Sequence, residues 1–347
     1  MLQANQRVAI LLSGGVRDGE GKTGLAMLRY RKGPIVAVID AETAGQSLRA
    51  LTGIEREVPI VADVASALKY EPEVLVIGLA PSGGQLPAPD YAQVKAAVAA
   101  GLSVANGLHT RLAEDASLRA FLQPGQWLWD IRQEPEGLTV GSGKARLLDC
   151  KRVLAVGTDM GVGKMSTCLE LHTAAQARGL RSRFVGTGQA GILISGGGIP
   201  LDAVRVDFAS GAVEQAVLAA ADGAEIMFVE GQGSLVNPAS TATLPLLRGS
   251  QPTALVLVHR LGQTHIRKLP DILIPALPKV IEVYEAVANM GGALGPCRVA
   301  GIALNTWGVS EAEAWAGIEQ VKAETGLPCS DVVRFGAELL LDVVVGE

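Results

Sequence analysis

The sequence predicts an α/β protein of two tandem doubly wound domains with mainly parallel sheets. Three observations carry that prediction. Short runs that are apolar throughout recur along the 347 residues, stretches of helical spacing separate them, and one turn-rich segment without periodicity splits the series in two. A strand that is apolar on both faces must be covered on both faces, as helices on either side of a parallel sheet provide. The length agrees, since 347 residues exceed what one ordinary core needs.

In the first series the strands are RVAILL, PIVAVID, VPIVAD, VLVIGLA and LSVANG. The stretch DYAQVKAAVAA, between the last two, has helical spacing, and a final strand lies around WLWDIR. The aperiodic segment QEPEGLTVGSGK follows, which places a Rossmann-like domain at 1–140 and a second domain at 141–347. Strands RVLAVG, SRFVGTG, EIMFVEG, TALVLVH and VAGIALNT make up the second series. Ser310 and Glu313 form a capping box ahead of AWAGIEQVKAETG, and Gly326 supplies the stop of that helix. No solenoid-length repeat is visible.

Composition bounds the function classes. Hydrophobic residues at 48% against 19% charged exclude a disordered or fibrous chain, and 30 basic against 35 acidic residues without a basic block leave no nucleic-acid footprint. The opening MLQANQRVAILLSGG lacks the charged and long apolar regions of a signal peptide. No apolar run approaches the ~18–20 residues of a membrane span. Cys150, Cys168, Cys297 and Cys329 are too few and scattered for a disulfide framework or a C-x-x-C metal site. The expectation is a cytoplasmic protein acting on a small molecule, with homo-oligomerisation left open.

Two glycine loops compete for a nucleotide. Ser13–Gly24, SGGVRDGEGKTG, contains G-x-G-x-x-G at Gly19, Gly21 and Gly24, with Asp40 at the distance of a ribose-binding carboxylate. Six residues separate strand one from Gly19, whereas a dinucleotide fingerprint needs its first glycine at the strand end; the bland reading is a glycine loop on a Rossmann-like domain. In the second loop, GTDMGVGKMST, the turn follows a buried strand at once and leads into a helix of four turns ending at Gly179. Backbone N–H groups and the helix dipole therefore converge on one point, with Gly157, Gly161 and Gly163 shaping the backbone and Lys164 reaching the outer phosphate. Met165 stands where a phosphate loop carries its metal-ligating hydroxyl. Ser166 remains a candidate ligand contact, but it is turned by about 100° along the helix and cannot supply that oxygen. A pyrophosphate that is held without being cleaved fits best, as in coenzyme A, with Mg²⁺ not essential.

The segments GTDMGVGKMSTCLELH, VEGQGSLVNP, GIALNT, GLAPSGGQLP, NGLHTRL and WDIRQEP resemble, across nearly the whole chain, a family of bacterial two-domain proteins. That family joins a Rossmann-like domain to a P-loop domain. Its assigned activity is D-glutamate N-acetyltransferase, and it also carries the looser label of NAD-dependent epimerase or dehydratase. The P-loop half is similar to dethiobiotin synthetase, which has a threonine where this chain has Met165. The resemblance implies that Thr158, Asp159, Gly161, Gly163 and Lys164 form the phosphate loop. It also implies that Glu230 makes an acidic metal or substrate contact and that Asn305 reads adenine.

Glu230 opens EGQGS after a strand and is the candidate general base, its bland alternative being a carboxylate that caps backbone or hydrogen-bonds the ligands of a metal. His109 in NGLHT is a candidate for moving a proton or binding a carboxylate, and His259 has comparable placement. His172 reads as structural and Cys168 as packed inward. Arg132 and Arg260 are candidate clamps for an acidic substrate, and Asp207 is a weaker candidate contact. The expected chemistry is acetyl transfer from acetyl-CoA to an acidic amino acid, with backbone N–H groups near EGQGS stabilising the oxyanion. The rivals are an ATP-dependent ligase or kinase holding Mg²⁺ on Glu230 and Asp159, and a nucleotide-binding regulatory protein.

Overall fold

The computed structural model describes residues 2–17, 20–81 and 83–346. The chain divides into two compact units: Met1–Gln133 with Gln189–Pro200, and Glu134–Gly188 with Leu201–Glu347. Each is an α/β unit around an all-parallel six-stranded sheet with interleaved helices.

In the first unit the strands are β1 (Val8–Leu11), β2 (Ile35–Ile39), β3 (Ile60–Val61), β4 (Val74–Ile77), β5 (Ser103–Asn106) and β6 (Leu128–Asp130), in the order β3-β2-β1-β4-β5-β6. Both faces are buried, and the two-residue period sorts the side chains between them. Val8, Ile10, Val38, Val74 and Val76 join Met27 and Leu28 on one face. Ala9, Leu11, Ala37, Ile39, Leu75 and Ile77 join Val94, Ala97 and Val98 of the helix Ala88–Ala99 on the other. The helix Gln189–Ser195 also belongs here, because Ile192 and Leu193 pack with Met27 and Leu28. Nothing in the sequence marks this excursion, since a seven-residue apolar helix looks like an ordinary strand connection.

Strand order reverses between β1 and β4, beside the first glycine loop. Gly24 has a packing role: a Cβ there would meet Leu12 Cδ2 at 2.7 Å and Ile10 Cγ2 at 2.8 Å, so only glycine lets the helix Lys22–Tyr30 lie this close to the sheet. Gly19 lies outside the described residues. Asp40 is fully buried, and its carboxylate accepts from Gly14 N (2.9 Å), Glu42 N (3.1 Å) and Thr43 Oγ1 (2.7 Å). Those bonds give it a loop-fixing role.

The second unit contains β7 (Lys151–Gly157), β8 (Ser182–Val185), β9 (Ile226–Val229), β10 (Ala254–Arg260), β13 (Val299–Asn305) and β14 (Cys329–Ser330), in the order β14-β13-β10-β7-β9-β8. β11 (His265–Ile266) and β12 (Leu269–Leu273) form a separate antiparallel hairpin after β10. Val153, Ala155, Phe228, Val256, Val258 and Ala303 pack against Cys168, Leu171 and Ala175 of the helix Lys164–Ala177. Leu340, Leu341 and Val344 of the helix Glu338–Val345 complete that cluster. The Ser310–Glu313 capping box opens the helix Glu311–Thr325, and Gly326 ends it at φ 69°. Among the described residues no helix is long and apolar enough to cross a membrane.

Candidate functional site

The centre of the second sheet builds the phosphate loop. β7 is buried over nearly its whole length and delivers the chain at Gly157; only six residues separate it from the helix Lys164–Ala177, which has no side chain capping its N-terminus. Its first-turn N–H groups are left to the loop, where an anion is favoured. Gly161 (φ 70°) and Gly163 (φ 121°) take the left-handed turns that wrap the backbone, and at those angles a side chain would be strained.

Lys164 is buried, and its Nζ donates to the Asp159 carbonyl oxygen at 2.7 Å. Burial pulls its pKa down to about 8 against the opposing attraction of Asp159 and Glu230. An ammonium so far removed from water has the chemistry of an anion ligand waiting for its counter-charge. Thr158 is equally buried; its N–H donates to Val258 O (3.1 Å) and its Oγ1 lies 2.9 Å from His259 Nδ1. Burial pushes His259 down to about 4, so at neutral pH it is an uncharged prop for the loop. Met165 and Ser166 are both half-buried on the first helical turn.

Asp159 is the hub of the site. Its Oδ1 accepts from Met160 N (2.6 Å) and Asn237 Nδ2 (2.7 Å), and its Oδ2 accepts from Gln263 Nε2 (2.7 Å) and Arg267 N (2.6 Å). Burial alone would raise its pKa, but these bonds outweigh burial and hold the carboxyl below its usual value. One carboxylate thus ties the phosphate loop to the segment after β9 and to the β11–β12 hairpin. Asn305 adds a further tie: its Nδ2 donates to Val162 O at 2.8 Å, and its Oδ1 accepts from Trp307 N at 3.0 Å.

Glu230 follows β9 and is 3% exposed. Its Oε2 accepts from Thr187 N (2.8 Å) and Gly188 N (3.1 Å), and its Oε1 from Gln232 Nε2 (3.1 Å). The side chain therefore caps the backbone after β8, the bland role its sequence position allowed. Burial nevertheless lifts its pKa to about 7, only partly offset by those N–H groups and by Lys164. A carboxyl titrating there can both take and give a proton near neutrality.

The remaining candidates fall in three places. In the first unit, after β5 and β6, His109 and Arg132 come together: Arg132 Nη1 is 2.7 Å from His109 Nε2, and Arg132 Nε donates to Gly107 O at 2.8 Å. In the second unit Arg260 ends β10 opposite Asn305 of β13, with its guanidinium 5.6 Å from the centre of the Trp307 ring. Asp207 is exposed on the first turn of the helix Val206–Ala220, where its charge favours the helix N-terminus. His172 bonds Ser182 Oγ at 2.8 Å, and Cys168 is buried with its thiol donating to Val229 O, so both are structural.

Sequence reasoning missed Asn237, Gln263, Arg267 and Trp307. Asn237 lies within the VEGQGSLVNP segment, but nothing local says that its amide bridges to Asp159. Arg267 sits at the hairpin turn with its exposed guanidinium beside the loop: a Cβ at Gly161 would lie 3.5 Å from its Nη1. A separate cleft of about 430 Å³, bordered by Lys151, Arg181, Glu225 and Val345, lies at the opposite edge of this sheet, near the strand starts.

Comparison with known proteins agrees with this architecture. Residues 139–341 match the P-loop domain of unknown function DUF1611_C, and residues 41–134 match the Rossmann-like domain of unknown function DUF1611_N. A D-glutamate N-acetyltransferase from Tritonibacter scottomollicae is 39% identical over 274 residues, 78% of this chain and 81% of that protein. A second, from a Pseudoalteromonas species, is 36% identical over 280 residues, 80% of this chain and 83% of its own. The crystal structure of a DUF1611 family protein from Anabaena variabilis superposes with a TM-score of 0.95 at 60% identity, covering 99% of this chain and all of that one. The chain belongs to the two-domain DUF1611 family, a Rossmann-like unit followed by a P-loop unit.

Proposed function

We propose that this protein is an N-acyltransferase that moves the acetyl group of acetyl-CoA to the amino group of an acidic amino acid. D-Glutamate is the substrate suggested by the names of the two relatives. The observation that carries this reading is a phosphate loop equipped to grip an anion but not a metal. Among the described residues no carboxylate is bonded to the buried Lys164 Nζ, each carboxylate oxygen of Asp159 accepts two hydrogen bonds, and a thioether replaces the usual hydroxyl at Met165. Such a loop suits a pyrophosphate remote from the reacting bond, as the pyrophosphate of acetyl-CoA is remote from its thioester.

In this reading the backbone N–H groups from Gly161 to Ser166 receive the pyrophosphate, and Lys164 Nζ exchanges the Asp159 carbonyl for a phosphate oxygen. The substrate amine attacks the thioester carbonyl carbon; a C–N bond forms, the C–S bond breaks, and the thiolate leaves. The amine proton passes to Glu230, whose proton affinity near pH 7 matches that task, and from there to the thiolate. The products are the N-acetyl amino acid and CoA. N–H groups of the segment after Glu230 stabilise the oxyanion. Within the second unit, Arg260 is the candidate contact for a substrate carboxylate.

The test follows free thiol with acetyl-CoA and D-glutamate, in EDTA and in excess Mg²⁺. Thiol release that requires the amino acid and is equal in both conditions supports the proposal. Metal-dependent ATP turnover without thiol release refutes it in favour of a ligase.

A further inference from the structure

We propose that Trp307, with Arg260 against its ring, is the stacking platform for the purine of the ligand whose phosphates occupy the loop at Gly157–Lys164. The inference rests on an adenine-bearing phosphate ligand binding there, and not on the acyl transfer itself. Trp307 is 77% exposed, an unusual position for an indole, whose burial contributes more than that of most side chains. It is nonetheless held in place. Its backbone N–H donates to Asn305 Oδ1 at 3.0 Å, and Asn305 Nδ2 donates to Val162 O at 2.8 Å, so two hydrogen bonds run from the phosphate loop to the indole's own residue. The Arg260 guanidinium, 5.6 Å from the ring centre, contributes a cation–π contact and steadies the ring.

The position suits a base. β13 lies two strands from β7, with β10 between them, and at strand spacings of about 4.8 Å this is a lateral offset of roughly 10 Å. A ribose spans that kind of interval between diphosphate and purine. An aromatic platform binds through the π-face, so it adds affinity for any purine nucleotide, while the hydrogen-bonding side chains beside it refine the choice. Arg260 thereby has a role distinct from clamping a dicarboxylate: it orders the ring on which the base lies.

Titration calorimetry on the full-length protein with CoA, ADP and inorganic pyrophosphate tests this. Trp307→Ala is expected to weaken CoA and ADP about tenfold or more, Trp307→Phe by about threefold or less, and neither to change pyrophosphate affinity. Tryptophan fluorescence quenched by ADP in the wild type should lose that component in Trp307→Phe. Unchanged CoA and ADP affinity in Trp307→Ala, or an equal loss for pyrophosphate, overturns the proposal. If ADP and CoA binding depend on Trp307 but no thiol is released with any acidic amino acid, the acyltransfer reading falls and the platform stands. If the wild type binds neither CoA nor ADP, both fall.

Discussion

Replacing Asp159 by alanine removes four acceptor interactions at once, from Met160 N, Asn237 Nδ2, Gln263 Nε2 and Arg267 N, all between 2.6 and 2.7 Å and all to a buried carboxylate. Hydrogen bonds to a charged group contribute about 1.5–3 kcal/mol each, but four that share two oxygens do not add, so the expected loss is about 3–5 kcal/mol. Asparagine should be no remedy. Both oxygens face donors only, and the amide NH₂ would meet an N–H head-on, so Asp159→Asn should match Asp159→Ala within about 1 kcal/mol. Urea denaturation measures this, and the pH dependence provides a second check. Because the folded carboxyl is held below its unfolded value, its contribution is fully present above pH ~4 and is lost as pH falls through the folded pKa. Wild type and mutant should therefore converge in acid. A loss under about 1 kcal/mol at pH 7, or an asparagine variant close to wild type, would refute the claim that this carboxylate ties the three segments together.

Lys164→Ala should abolish calorimetric binding of CoA and ADP while leaving urea stability unchanged or slightly raised, since a buried amine with a depressed pKa is removed. Met165→Thr should leave binding intact in EDTA and add a Mg²⁺ dependence absent from the wild type; identical titrations with and without metal would count against the meaning given to Met165. Glu230→Gln should reduce thiol release by roughly a hundredfold or more, and the wild-type rate should rise with pH through about 7 as the base deprotonates. Glu230 acts on stability in the opposite sense: its folded pKa lies above the unfolded one, so its contribution falls between pH ~4 and about 7, and glutamine should flatten that limb of the urea profile. Binding of an anionic ligand near Lys164 and Glu230 should draw protons on at pH 8, seen as a binding enthalpy that varies with buffer ionisation enthalpy; buffer independence would show that neither group senses the ligand.

Legibility from the sequence followed the length scale of the signal. β1, β4, β7 and β10 were plain because each is an apolar run that must be buried on both faces, and the Ser310–Glu313 box was plain because its partners are three residues apart. The phosphate loop was readable for the same reason: strand, turn and helix are contiguous. The Asp159 hub was not, because its acceptor bonds reach Asn237, Gln263 and Arg267, between 78 and 108 residues away. The pairing of His109 with Arg132 spans 23 residues, and β14 is only two residues long, too short to carry a period. The G-x-G-x-x-G of the first loop was readable as text, yet its Gly24 answers to side-chain packing on β1.

The substitution at Met165 and the saturation of Asp159 are two sides of one arrangement. A loop that recruits a cation must keep hard oxygen ligands free of hydrogen-bond donors, because a lone pair given to an N–H is not available to a metal. Here the hydroxyl position is a thioether, and the nearest carboxylate spends its lone pairs on four N–H groups from three segments. Those bonds rigidify the loop and bring the Arg267 turn beside Gly161, so a second cationic side chain stands next to the loop with Lys164. Rigidity and fixed cations favour holding a phosphate in one place over stabilising charge as it moves between phosphate oxygens. For the acyl transfer proposed above this is the useful half of phosphate-loop chemistry: the pyrophosphate would serve as a handle, with the reacting carbonyl elsewhere.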